Sequence, residues 1–135
     1  MTMIRYFCFS LLLFFCLNIN ASSLSNKSII CSTNKFTVKG GFVFTSDNTL
    51  DRYNILLNLD TGKQYIKKSS HCYTLINNEY AITEKSIDKG CGKPNSYIDS
   101  NSLEYMMLFD EYMLSANCSL FDGDLIEAIN NSLIK

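Results

Sequence analysis

The stretch Tyr112-Met-Leu-Ser-Ala-Asn-Cys-Ser-Leu-Phe121 keeps Tyr112, Leu114, Ala116, Cys118 and Leu120 in one phase. Successive side chains of a strand point to opposite faces, whereas a helix returns to one face every third or fourth residue, so this spacing reads as a strand. Residues 103–114 pose the main ambiguity, because Leu103, Met106, Met107, Met113 and Leu114 would also line one side of a helix, and Met and Leu are good helix formers. The alternation running on into Cys118 favours two strands, over 103–109 and 112–121, joined by a turn at Asp110-Glu111.

Further toward the amino terminus the same period recurs. Over residues 35–45, Phe36, Val38, Phe42 and Phe44 share a phase opposed by Lys35, Thr37 and Lys39, while Gly40-Gly41 marks a bulge, a close approach or a tight reversal. Tyr53, Ile55, Leu57 and Leu59 alternate with Asn54, Leu56 and Asn58 up to Asp60-Thr61-Gly62, which predicts a hairpin into residues 64–67. Residues 72–76 and 80–83 flank Asn77-Asn78-Glu79, a second hairpin in which Asn tolerates the left-handed turn. Gly90, Cys91, Gly92 and Pro94 make residues 86–95 a loop, followed by an extended segment at 96–99. The tail departs from this pattern: Asp124-Leu-Ile-Glu127 has capping-box spacing, and Leu125, Ile126, Ile129 and Leu133 recur on one helical face. The expected fold is mainly β, an antiparallel meander forming a small sandwich or barrel, with a short C-terminal helix.

The chain has 135 residues, enough for one small domain and no second. Residues 1–21 have the layout of a secretory signal peptide: Arg5 near the start, an apolar core of about a dozen residues, and Ala21 where a peptidase would cut. That core is too short to span roughly 30 Å of hydrocarbon, so residues 22–135 are expected as a single disulfide-stabilised β domain, secreted or periplasmic, with no stable membrane span after cleavage. Twelve Lys and Arg against 13 Asp and Glu leave a net charge of −1, without the basic excess that phosphate binding demands, so nucleic acid is not an expected partner.

Cys31, Cys72, Cys91 and Cys118 remain after cleavage, an even number in an oxidising compartment, and predict two disulfides. Spacing alone allows three connectivities. The pairing favoured here is Cys72 with Cys91, closing one long loop, and Cys31 with Cys118, tying the first strand to the last. No C-x-x-C pair is present and His71 adjoins Cys72, where neighbouring strand side chains point apart, so neither a metal nor another cofactor is expected.

From Cys31 to Leu120 the order of features resembles a diffuse group of small, uncharacterised, exported bacterial proteins. That group has an early Cys, an alternating strand ending in Leu-x-Leu-Asp, a central Cys, an Ile-Asp-Arg-x-Thr-Gly turn and a final Cys in the last strand. The corresponding residues here are Cys31, Leu57-Asn58-Leu59-Asp60, Cys72, Ile98-Asp99-Ser100-Asn101-Ser102-Leu103 and Cys118, with Ser100 at the Arg position and Leu103 at the Gly position. The resemblance implies a compact antiparallel β domain and transfers no activity.

Catalysis is not expected. His71 is the one imidazole, the cysteines are committed to cross-links, and turns or helix caps account for Asp110, Glu111, Asp122, Asp124 and Glu127. Charge is more informative than any motif. Residues 27–93 carry ten basic against six acidic side chains, net +4, and residues 94–135 carry seven acidic against Lys135, net −6. If folding preserves that separation, an acidic face would steer a basic partner; if paired strands interleave the halves, the field cancels. The first expectation is therefore an exported non-catalytic binding protein, an inhibitor or immunity-type protein acting on a protein partner through Asp110, Glu111, Asp122 and Asp124. The second is a small lipocalin-like barrel carrying a ligand.

Overall fold

The computed structural model describes residues 23–34, 37–86 and 90–133. The expected signal peptide, residues 1–21, lies outside the described residues. Nine strands and one helix follow in order: β1 Ser28–Asn34, β2 Thr37–Phe44, β3 Thr49–Leu57, β4 Gln64–Ile76, β5 Glu79–Ser86, β6 Gly90–Cys91, β7 Ser96–Asp99, β8 Glu104–Phe109, β9 Tyr112–Phe121 and α1 Leu125–Asn131. The segment 103–114 is strand, turn and strand, as its alternation indicates. All pairings are antiparallel in the order β4-β3-β2-β1-β9-β8-β7-β5, and β4 also pairs with β5, so eight strands close into a barrel; β6 pairs by its two residues with Lys85 and Ser86 at the end of β5. Closure removes the exposed edges that an open sheet of this size would have to protect.

Two disulfides are formed, Cys31–Cys118 and Cys72–Cys91. The first joins directly opposed residues of β1 and β9, with Cα atoms 4.0 Å apart, and so clips the seam where the last strand meets the first. The second ties β4 to β6 from outside the barrel.

The lumen is filled by Ile29, Phe42, Phe44, Leu50, Tyr73, Tyr80, Ile82, Ile98, Tyr105 and the Cys31–Cys118 bridge. Phe44 stands edge-on to Tyr73 at 5.0 Å between centroids and Tyr73 edge-on to Tyr80 at 5.8 Å, geometries that satisfy the ring quadrupoles. The Tyr73 hydroxyl donates to the Ser46 carbonyl at 2.6 Å, so its burial leaves no dangling donor.

A second cluster lies outside the barrel. Helix α1 lays Leu125 and Ile129 on Tyr53, flanked by Ile30, Val43, Ile55, Ile66 and Phe121. Asp124 caps the helix, its Oδ1 accepting from the Ile126 and Glu127 amides at 2.9 and 3.0 Å. Of the four apolar residues of the tail, Leu125 and Ile129 are buried and Ile126 faces solvent. Gly41 makes room for this docking: a Cβ there would lie 2.4 Å from the Ile29 carbonyl and 3.0 Å from Leu125. The alternating apolar residues of β3 therefore divide, with Tyr53 and Ile55 facing the helix while Leu50 joins the lumen.

Strands β1, β3 and β8 run toward one end of the barrel, here called upper, which carries the β3–β4 and β8–β9 turns; the lower end carries the β2–β3, β4–β5 and β7–β8 turns and the start of α1. Burial is concentrated in the lower half. The upper stretch of β4, residues 64–70, has no buried residue, and residues 112–115 of β9 are all exposed.

Candidate functional site

The β8–β9 hairpin has a two-residue tip, Asp110-Glu111, between the register pairs Phe109↔Tyr112 and Leu108↔Met113. Around it Leu108 is 53% exposed, Tyr112 74% and Met113 64%. These apolar groups and the two carboxylates line a shallow groove of about 440 Å³. Exposed apolar side chains grouped beside charged ones are a composition that docking surfaces share.

The topology decides whether the charge asymmetry survives. Strands β1 to β5 form one contiguous sector and β7 to β9 the other, so the halves lie side by side and are not interleaved. They meet along two seams. Across β1–β9 the pairs run from Ser28↔Phe121 to Ser32↔Asn117 and contain no charged residue; across β5–β7 the single charged pair is Glu79↔Asp99, two acids. No cation is therefore paired in register across either border of the β7–β9 sector, and the ion pair found among the described residues, Lys68–Asp51 at 3.0 Å, lies within the other sector. Asp99 and Glu104 extend the acidic sector away from the hairpin tip. Asp99 is itself held below the usual carboxylate range by hydrogen bonds from the Ser102 and Asn101 amides and the Ser102 hydroxyl.

The four acidic residues expected to act together are not brought together. Asp110 and Glu111 stand at the upper end of β9, while Asp122 and Asp124 follow its lower end, some ten residues and roughly 30 Å of strand away. Asp124 is engaged in capping α1, and Asp122 borders a separate groove with Asn26, Lys27 and Ser28.

His71 and Cys72 point to opposite sides. Cys72 faces the disulfide outside, and His71 is buried at 5% exposure in the barrel wall. The Ser69 hydroxyl lies 2.8 Å from its Nε2, and its Nδ1 makes no hydrogen bond of good geometry. Burial pushes the pKa of His71 below 6.5, and the nearby Arg52 charge adds to this, against the opposite pull of the Thr83 backbone, Glu84 and Asp51. Asp51 shows the contrary balance: burial disfavours its charge, yet the Lys68 and Ser70 hydrogen bonds and the Lys68 charge outweigh it and hold its pKa below 3.8.

One residue was missed in the sequence. Arg52 pairs with Phe42 and Ser69 in register, and its guanidinium lies 5.9 Å from the Phe42 ring and 5.1 Å from the Tyr105 ring. Phe42 and Tyr105 belong to the cluster filling the lumen, and β8 lies across the barrel from β3, so this cation reaches into the interior. Its phase between Leu50 and Asn54 is the signal that could have placed it, had the lumen face of β3 been known.

On the outer wall a cleft of about 470 Å³ borders the Cys72–Cys91 bridge, lined by Thr49, Thr74, Ile76, Ala81, Thr83 and Pro94 among others. Among the described residues no three His, Cys, Asp or Glu groups converge on a common point, and no helix is long and apolar enough to cross a membrane. Comparison with protein-family models, curated proteins and solved structures returns no match.

Proposed function

We propose that this chain is an exported, non-catalytic binding protein that docks a basic protein partner, in the manner of an inhibitor or immunity protein, through the β8–β9 hairpin. The observation that carries the reading is the tip itself: Leu108, Tyr112 and Met113 exposed around Asp110 and Glu111, in a sector whose seams bring in no cation. Tyr and Met anchors supply buried area on binding, and the uncancelled acidic field raises the encounter rate and selects for a positively charged surface. Two disulfides support an oxidising compartment outside the cytoplasm. The absence of catalysis is supported by cysteines committed to disulfides, which removes the thiol nucleophiles.

The test is a paired capture from the native cell envelope, with oxidised wild-type protein and Asp110→Lys/Glu111→Lys as baits. A partner with a basic contact surface, retained by wild type and depleted on the variant, is the expected result. A partner recovered equally on both baits would remove the hairpin from the interface.

The lipocalin-like reading draws on the closed eight-stranded barrel. Phe44, Tyr73, Tyr80 and Ile82 occupy the lower lumen, so a deep calyx is not available and any ligand would sit at the upper end.

A further inference from the structure

Arg52 is a partly buried cation without a carboxylate. Among the described residues its hydrogen bond is from Nε–H to Asn54 Oδ1 at 2.9 Å, and no ion pair reaches it. Glu84, the acid that pairs with His71 on the lumen face of β5, is exposed and stays beyond ion-pair distance. Stacking on Phe42 and Tyr105 offsets part of the desolvation and leaves the two terminal amino groups of the guanidinium without acceptors among the described residues.

Beside it the buried Tyr105 hydroxyl lies near Ser96 without a well-formed hydrogen bond. Burial pushes its pKa up, against the pull of the Arg52 charge, so it stays a protonated donor. The guanidinium can only donate and the protonated phenol can donate beside it, so the group that would engage both is an anion.

What stands above Arg52 follows from register. β3 and β4 pair without a shift, so Leu56↔Tyr65 lies on the same face as Arg52↔Ser69; β8 and β9 likewise place Met107↔Leu114 on the face of Tyr105↔Ala116. Met107 packs on the lumen cluster, which confirms that phase. Tyr65 is nevertheless 46% exposed and Leu114 57% exposed. Both lie on the lumen phase at the upper end and still meet water.

We propose that the upper end of the barrel binds an amphipathic carboxylate, its head on the Arg52 guanidinium and the Tyr105 hydroxyl and its apolar part against Leu56, Tyr65, Met107 and Leu114. A bidentate carboxylate satisfies the guanidinium fork and the phenol together, and the tail covers apolar surface that the fold leaves wet. Neutral and cationic ligands are disfavoured by the uncompensated charge at the floor.

The site is independent of the hairpin docking surface and is tested on the oxidised protein with octanoate and octan-1-ol, followed by the Arg52 Nε–Hε and backbone resonances in 1H–15N spectra. Octanoate should saturate, moving resonances of Arg52, Tyr105 and Leu114, with octan-1-ol at least about tenfold weaker. Arg52→Gln should weaken octanoate by at least about tenfold at unchanged near-ultraviolet circular dichroism. Tyr105→Phe, which removes only an unpaired hydroxyl, should fold normally and weaken octanoate about three- to tenfold. Should Arg52→Gln fail to fold, the alcohol comparison and Tyr105→Phe carry the test. Equal affinity for acid and alcohol, shifts confined to the outer cleft at Thr83 and Pro94, or no saturation up to about 5 mM octanoate would overturn the site.

Discussion

Replacing Cys31 and Cys118 together by Ala should destabilise the fold more than replacing Cys72 and Cys91, and the difference follows from chain topology. The first cross-link spans 87 residues and the second 19. On the loop-entropy relation these separations correspond to about 4.6 and about 3.2 kcal/mol of unfolded-state restriction at 25 °C. The gap of about 1.4 kcal/mol is widened by location, because truncating two buried sulfurs in the lumen opens a cavity, whereas Cys91 is exposed. Against the 5–15 kcal/mol typical of a domain, loss of the seam cross-link consumes much of the total. Urea unfolding of the oxidised protein and the two double variants, read by far-ultraviolet circular dichroism, measures both losses. A Cys72→Ala/Cys91→Ala variant as destabilised as Cys31→Ala/Cys118→Ala, or more so, would refute the seam argument.

Other perturbations test separate parts. Asp124→Ala removes the acceptor for two amides at the start of α1 and should cost about 1 kcal/mol in urea unfolding, with Asp124→Asn restoring most of it. Gly41→Ala would drive a methyl into the Ile29 carbonyl and Leu125; it should destabilise by about 2 kcal/mol or more and raise the protease sensitivity of the C-terminal helix first. The imidazole of His71 loses its proton at lower pH in the fold than in the unfolded chain, so between those pKa values the unfolded chain binds more protons and stability rises with pH. Unfolding midpoints should therefore fall as pH drops below about 6.5, and His71→Gln should flatten that slope; an unchanged slope would return His71 to solvent.

Period-two alternation made β9, the β3–β4 hairpin and the β4–β5 hairpin readable, because their apolar side chains recur at every second position between turn-forming residues. Strand β1 was not readable for the opposite reason. Ile29 enters the lumen and Ile30 lies beneath α1, so both faces are covered and adjacent apolar residues replace the alternation. Strand β4 reads in sequence as two short segments because Lys67-Lys68-Ser69-Ser70 is polar; it runs unbroken because this exposed stretch still pairs with β3 while its lower part pairs with β5. At the candidate site, sequence supplied the acidic tip and the polarised charge. It did not show that Asp122 and Asp124 lie at the other end of the barrel, since that depends on strand length and on the cap that Asp124 makes. Arg52 was hidden because the apolar phase of β3, Tyr53 and Ile55, serves the helix and leaves the polar phase to the lumen.

The most direct measurement is the association rate of the captured partner with wild-type protein and with Asp110→Lys/Glu111→Lys, by stopped flow across a series of salt concentrations. Docking through the hairpin requires a wild-type rate that falls steeply with ionic strength and a variant at least about tenfold slower at low salt, the two converging at high salt. Identical rates with identical salt dependence would contradict recognition through the β8–β9 tip.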